Sequence, residues 1–162
     1  MDSILSLSIV DISQALQQRI ISPVELTKLL LEHIEKEDQK FNSYITVFYE
    51  EAINRAIALE KEMISGEIRG PLHGVPVAIK DVIFTQGKKT TMGSEIFREF
   101  IPAYNARVVD LLEEAGAIIV GKNNTHQLAY GPTGDRSYFG PVRNPHDLSK
   151  ISGGSSSGSA VA

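Results

Sequence analysis

An α/β layer fold is what this sequence predicts, and three observations predict it. The first third carries apolar residues at helical spacing. An apolar, β-branched run opened by turn residues follows at 74–84, and a second helix-then-strand succession occupies 105–120. Helix followed by strand, twice in this region, argues for helices layered on a sheet that contains parallel pairs.

The elements follow in order. Ser8 is placed to cap a short helix through Ile12, Ala15 and Leu16. At Ser22-Pro23-Val24-Glu25, Ser22 is a good N-cap, Pro23 stands where a missing N–H costs nothing, and Glu25 completes a capping box. Leu26, Leu29, Leu30 and Ile34 then recur at helical spacing and are expected to face a core. A third helix is expected from about Glu50 to Ile64, with Ile53, Ile57 and Ile64 on one side, ended by Gly66 and Gly70-Pro71. Gly74 to Phe84 suits a buried strand. A capped helix is expected over Asn105 to Glu114 on Val108, Val109, Leu111 and Leu112, and a short buried strand over Ala117 to Val120 after the Gly116 break. After Gly121 the chain is rich in turn pairs, Gly131-Pro132, Gly140-Pro141 and Asn144-Pro145. The last stretch, Ser152 to Ser159, reads by composition as a flexible linker, although Ile151 and Ala160-Val161-Ala162 flank it with apolar residues.

Composition narrows the function classes. With 42% hydrophobic and 22% charged residues the chain has a globular makeup. A net charge of −4 leaves no direct nucleic-acid signal and no polybasic stretch for an anionic membrane surface. No run approaches the ~18 apolar residues of a membrane span. The start, Met1 to Leu7, carries Asp2 and no basic region, so it does not resemble a signal peptide, and the cytoplasm is the expected location. Without cysteine there is no disulfide, thiol nucleophile or Cys-ligated zinc.

Several chemical signals compete. Gly116-Ala-Ile-Ile-Val-Gly121-Lys122-Asn123 nearly spells a phosphate-binding loop, but Asn123 replaces the magnesium-binding hydroxyl and the intervening residues suit a strand. His33, His73, His126 and His146 show no metal spacing and are expected at the surface or in turns, so neither metal nor cofactor is expected. No Gly-x-Ser-x-Gly elbow follows a predicted strand, so a Ser–His–Asp triad has little support. Lys80 is different, because Val77-Ala78-Ile79 and Val82-Ile83-Phe84 would carry its backbone through the core. A desolvated lysine loses its preference for the ammonium and can act as a general base towards a hydroxyl. Asp81 would oppose this, but alternation points it to the opposite face. The Gly153-Gly-Ser-Ser-Ser-Gly-Ser159 stretch offers hydroxyls and N–H groups on a permissive backbone, suited to a proton relay and an oxyanion.

At Gly70-Pro-Leu-His-Gly-Val-Pro-Val-Ala-Ile-Lys-Asp81 the chain resembles the amidase signature family. The likeness continues through Gly121-Lys-Asn-Asn124, Tyr138-Phe-Gly-Pro-Val-Arg-Asn-Pro-His146 and Gly153 to Ser159. The resemblance implies a mixed sheet flanked by helices, with a helical segment at 1–69 and the first part of the α/β core at 70–162, truncated and therefore incomplete. It implies a Ser–Ser–Lys triad in which Lys80 is the base and Ser155 the bridging serine, preceded by a cis peptide bond. Tyr130, Gly131 and Ser155 would line the substrate pocket. The nucleophilic serine is expected beyond Ala162, so these residues alone are expected to be inactive as a fragment. Gln127 stands where many members have an acidic residue, and Ser157 where many have glycine. The substrate would be a small-molecule carboxylic amide, hydrolysed without a cofactor. The Phe-Gly-Pro-Val-Arg-Asn-Pro segment favours a stand-alone amidase. The alternative is the A-type component of the tRNA-dependent glutamine-forming amidotransferase, with its other subunits as partners. A piece of such a sheet is expected to expose unpaired edges and to dissolve poorly.

Overall fold

The computed structural model describes residues 4–162, so the first three residues of the expected helical segment and of the amino-terminal stretch lie outside it. The chain forms two compact units, one of Met1–Ile34, Phe48–Val77 and Asp110–Val120, the other of Glu35–Val47, Ala78–Val109 and Gly121–Ala162.

In the first unit, α1 (Ile9–Gln17) begins at Ser8, whose hydroxyl accepts the Asp11 N–H at 3.2 Å. The capping box at the start of α2 (Pro23–Phe41) is formed as its sequence predicts. Glu25 N–H donates to Ser22 Oγ at 3.1 Å, and Ser22 N–H donates to Glu25 Oε2 at 2.9 Å. The two side chains thus satisfy each other's backbone N–H groups at a helix start that would otherwise leave them unpaired. Ala15, Leu16, Ile21, Leu26, Met63 and Val75 pack together, with Leu29 against them. Leu31 and Ile34 are buried as well, whereas Leu30 is only half-buried.

The third helix, α3 (Tyr49–Ser65), has the expected extent but buries a different face. Ala52, Ala56, Leu59 and Met63 are its buried residues, while Ile57 and Ile64 are exposed. Both sets have helical spacing, and alanines allow the closer approach. Gly66 ends α3 in the left-handed region at φ 89°, with the Glu67 N–H reaching back to Glu62 C=O at 2.9 Å.

Strands β1 (Tyr44–Val47), β2 (Pro76–Lys80) and β3 (Ile118–Asn123) form one sheet in the order β1-β3-β2. β1 runs antiparallel to β3, pairing Tyr44 with Asn123 and Val47 with Gly121. At one end of β2 the Ile118 N–H meets Val75 C=O at 2.9 Å, and at the other the Asp81 N–H meets Asn123 C=O at 3.0 Å. Both positions advance together, so β2 and β3 are parallel. β2 is shorter than the expected strand. It stops at Lys80, where Ile83 N–H turns back to Lys80 C=O at 3.0 Å. β3 conversely continues through Gly121 to Asn123.

The helix before β3, α4 (Arg107–Glu114), buries Val109 and leaves Val108 and Leu111 exposed. Ahead of this helix, the side-chain carbonyl of Asn105 accepts the Gln86 N–H at 2.6 Å. A two-stranded antiparallel hairpin, β4 (Arg143–Asn144) with β5 (Asp147–Ile151), occupies the turn-rich region. The terminal stretch is no linker. Its residues Ser157–Val161 form helix α5, and Ser157 and Gly158 are buried. Among the described residues no helix is long and apolar enough to cross a membrane.

Candidate active site

Lys80 ends β2 half-buried, one residue after the fully packed Ile79. Burial lowers the pKa of its ammonium below the ordinary lysine value. Its Nζ donates to Ser155 Oγ at 2.8 Å. The Gly154–Ser155 peptide bond is cis.

Ser155 is held from its carbonyl side. Its C=O accepts the His126 N–H at 3.0 Å and the Thr125 hydroxyl at 3.0 Å. The neighbouring backbone leaves no room for side chains. A Cβ on Gly134 would lie 2.2 Å from Gly153 O, and one on Gly131 would lie 2.4 Å from His126 Nε2. His126 Nδ1 accepts the Gly134 N–H at 3.3 Å, which ties this glycine turn to the residue that also grips Ser155.

Asp81 and Lys122 form a second, deeper pair. Lys122 is 0% and Asp81 1% exposed. Lys122 Nζ donates to Ile83 C=O at 2.8 Å, Thr90 Oγ1 at 2.9 Å and Thr85 Oγ1 at 3.3 Å. Three donors thus meet three oxygens. Asp81 Oδ1, 3.5 Å from the nitrogen, receives charge without a hydrogen bond from any described residue. Its other oxygen accepts the Thr91 N–H at 2.9 Å and the Thr91 hydroxyl. Burial raises the Asp81 carboxyl above the usual range and lowers Lys122, and each partner's charge counteracts the shift of the other. Asp81 is therefore engaged with Lys122, and burial is what displaces Lys80.

The sequence-predicted site residues fall as follows. Lys80 and Ser155 are in contact. Gly131 lies beside them, its carbonyl 3.4 Å from where a Cβ on Gly154 would be, and Tyr130 is 89% exposed. Gln127, in the acidic position of the pattern, donates to Ser94 Oγ at 3.2 Å. The near phosphate-binding loop is excluded, because Gly121 and Lys122 are buried inside β3.

Two of the histidines depart from their expected place. His33 and His146 are exposed, but His73 and His126 are buried. His73 pairs its Nε2 with Leu59 C=O at 2.9 Å and accepts the Arg69 N–H at Nδ1 at 3.2 Å, a satisfied core histidine. No group of three His, Cys, Asp or Glu side chains among the described residues could hold a metal ion. Sequence reasoning missed the parts that Lys122, Thr125 and His126 play. The only signal for them was that the apolar run before Gly121 could continue as a strand.

Known proteins resemble this chain in sequence and in fold. The A-type component of the glutamyl-tRNA(Gln) amidotransferase from Geobacter sp. (strain M21) is 45% identical over 159 residues, 98% of this chain and 33% of that protein. The solved peptide amidase of Stenotrophomonas maltophilia superposes with a TM-score of 0.88 at 32% identity, over 96% of this chain and 33% of that one. The corresponding glutamyl-tRNA(Gln) amidotransferase component of Thermotoga maritima superposes with a TM-score of 0.71 at 36% identity, over 86% of this chain and 28% of that one. The chain thus spans about a third of the length of the curated relatives it matches. The family description "Amidase" matches residues 25–162, which is most of the sequence and includes both Lys80 and Ser155, and so the chain belongs to the amidase family.

Proposed function

We propose that the whole protein hydrolyses a carboxylic amide through an acyl-serine, with Lys80 and Ser155 relaying the proton. The observation that carries this reading is the 2.8 Å contact between a lysine whose ammonium is disfavoured by burial and a serine hydroxyl. In its neutral form, Lys80 Nζ takes the Ser155 proton while Ser155 Oγ takes the proton of the attacking serine. That serine oxygen bonds to the amide carbon. As the C–N bond breaks, the proton returns through Ser155 to the leaving nitrogen. Water then repeats the sequence and releases the acid. The attacking serine is supplied by residues after Ala162 in a protein of the relatives' length, and Tyr130 and Gly131 border the pocket. No step needs a metal or cofactor. The 162 residues by themselves therefore give no turnover above background.

The test is turnover of a simple aryl amide by the full-length protein and its Lys80→Met and Ser155→Ala variants. Loss of about a thousandfold in kcat is expected for each. A Lys80→Met enzyme that keeps its rate would overturn the reading.

A second reading is favoured by a specific observation, the 45% identity to an amidotransferase component over nearly the whole chain. Glutamine would then be the amide, the released ammonia would pass to a charged tRNA, and further subunits would be partners in the cytoplasm. Copurification with such subunits, and glutamine hydrolysis stimulated by glutamyl-tRNA, distinguish it from a stand-alone amidase.

A further inference from the structure

The end of β3 touches both halves of the Lys80–Ser155 pair. On one side, the Asp81 N–H donates to Asn123 C=O at 3.0 Å, which fixes the residue next to Lys80. On the other, two and three residues further along, the Thr125 hydroxyl and the His126 N–H both reach Ser155 C=O at 3.0 Å. Between them Asn124 C=O accepts the Gly158 N–H at 2.9 Å, so the start of α5 is held to the same segment. Thr125 itself is closely packed. It is fully buried, its N–H donates to Asn124 Oδ1 at 2.8 Å, and a Cβ on Gly93 would lie 2.7 Å from its carbonyl. Its hydroxyl carries one proton and faces two carbonyls, its neighbour His126 at 3.1 Å and Ser155 at 3.0 Å. Only the second contact joins distant parts of the chain.

We propose that Thr125 is a positioning residue for the proton relay: with the His126 N–H, its hydroxyl anchors the Ser155 carbonyl so that the Ser155 hydroxyl stays on Lys80 Nζ. This rests on the relay reading above. The His126 N–H is a backbone donor present whatever the side chain, so the side-chain share of the anchor belongs to Thr125. Valine has nearly the same shape without the donor, and serine keeps the donor without the methyl.

The experiment compares kcat and KM of the full-length protein with its Thr125→Val, Thr125→Ser and Lys80→Met variants on one aryl amide. Thr125→Val is expected to lower kcat about tenfold, the scale of a lost hydrogen bond plus a small displacement of a reacting group. KM is expected to stay within about twofold, and Thr125→Ser to recover most of kcat. A part played only in folding would lower the melting temperature of both variants without this split. Should the valine variant not fold, Thr125→Cys, a weak donor of similar size, is expected to give an intermediate loss. Full kcat in Thr125→Val or Thr125→Cys beside an inactive Lys80→Met overturns the positioning role alone. Full kcat in Lys80→Met overturns the relay, and this role with it.

Discussion

Replacing Lys122 by methionine removes a charge from a fully buried polar cluster of the second unit and leaves its partner behind. At 3.5 Å, with both groups at most 1% exposed, the attraction between Lys122 and Asp81 amounts to about 5 kcal/mol at an effective dielectric of 20. Methionine fills much of the lysine volume, so the loss is electrostatic more than a cavity. Breaking a buried pair by removing one partner costs about 3–5 kcal/mol, and for a chain of this length about 2–4 °C is lost per kcal/mol. Lys122→Met is therefore expected to melt about 6–20 °C below the parent. The double variant Asp81→Asn with Lys122→Met should recover a substantial part, because no uncompensated charge remains. The sign with pH is fixed as well. Without Lys122 the Asp81 carboxyl titrates still higher in the fold, so the folded state holds a proton that the unfolded chain has released. Stability of the single variant must then fall as pH rises from the ordinary carboxylate range through that raised value. Urea unfolding at several pH values measures all of this. A single variant within about 1 kcal/mol of the parent at pH 7, or a double-mutant cycle with no coupling, would refute the reasoning.

Other expectations are simpler. Because burial lowers the Lys80 pKa, the alkaline rise of kcat/KM in the full-length protein should level off below the ordinary lysine range. By the same linkage the protonated Lys80 is a burden on the fold. That burden is full below its folded pKa and is relieved as pH rises towards the unfolded value, so Lys80→Met should be relatively more stable at neutral pH than at high pH. Gly134→Ala would set a methyl 2.2 Å from Gly153 O at φ +73°, and an unfolding midpoint lower by about 2 kcal/mol or more is expected. Ser22→Ala removes one arm of the capping box at α2, and a loss of about 1 kcal/mol in urea unfolding is expected.

How far the sequence could be read depended on whether a feature was local. The capping box at Ser22 and Glu25 is local chemistry and forms as its residues dictate. Which face α3 buries is not local. Ile53, Ile57 and Ile64 compete with Ala52, Ala56, Leu59 and Met63 at equally helical spacing, and the choice is made by how closely a neighbour can approach. β1 is four residues long, too short for alternation to declare itself. The end of the chain misleads by composition, since glycine and serine there serve close packing and not flexibility. A Cβ on Gly158 would lie 2.2 Å from Ser43 O. The contact between Lys80 and Ser155 was legible only through the family motifs, which link residues that no periodicity connects. Lys122 was hidden for the converse reason. A fully buried lysine is rare enough that a strand is expected to stop before it.

The two lysines separate what burial does from what charge does. Both are lowered by desolvation, yet only Lys122 has a carboxylate beside it to restore its charge. The three N–H groups of an ammonium also match the three oxygens around Lys122, whereas a neutral amine would supply only two. Lys122 therefore suits a fixed cation that neutralises Asp81 and braces the turn after β2. Among the described residues Lys80 has one hydroxyl partner and no compensating anion, and it keeps partial access to water, so its proton is the one that can leave. Exchanging these environments would exchange the roles. An aspartate brought within about 4 Å of Lys80 would raise its pKa and stop it acting as a base, even though the contact with Ser155 remained.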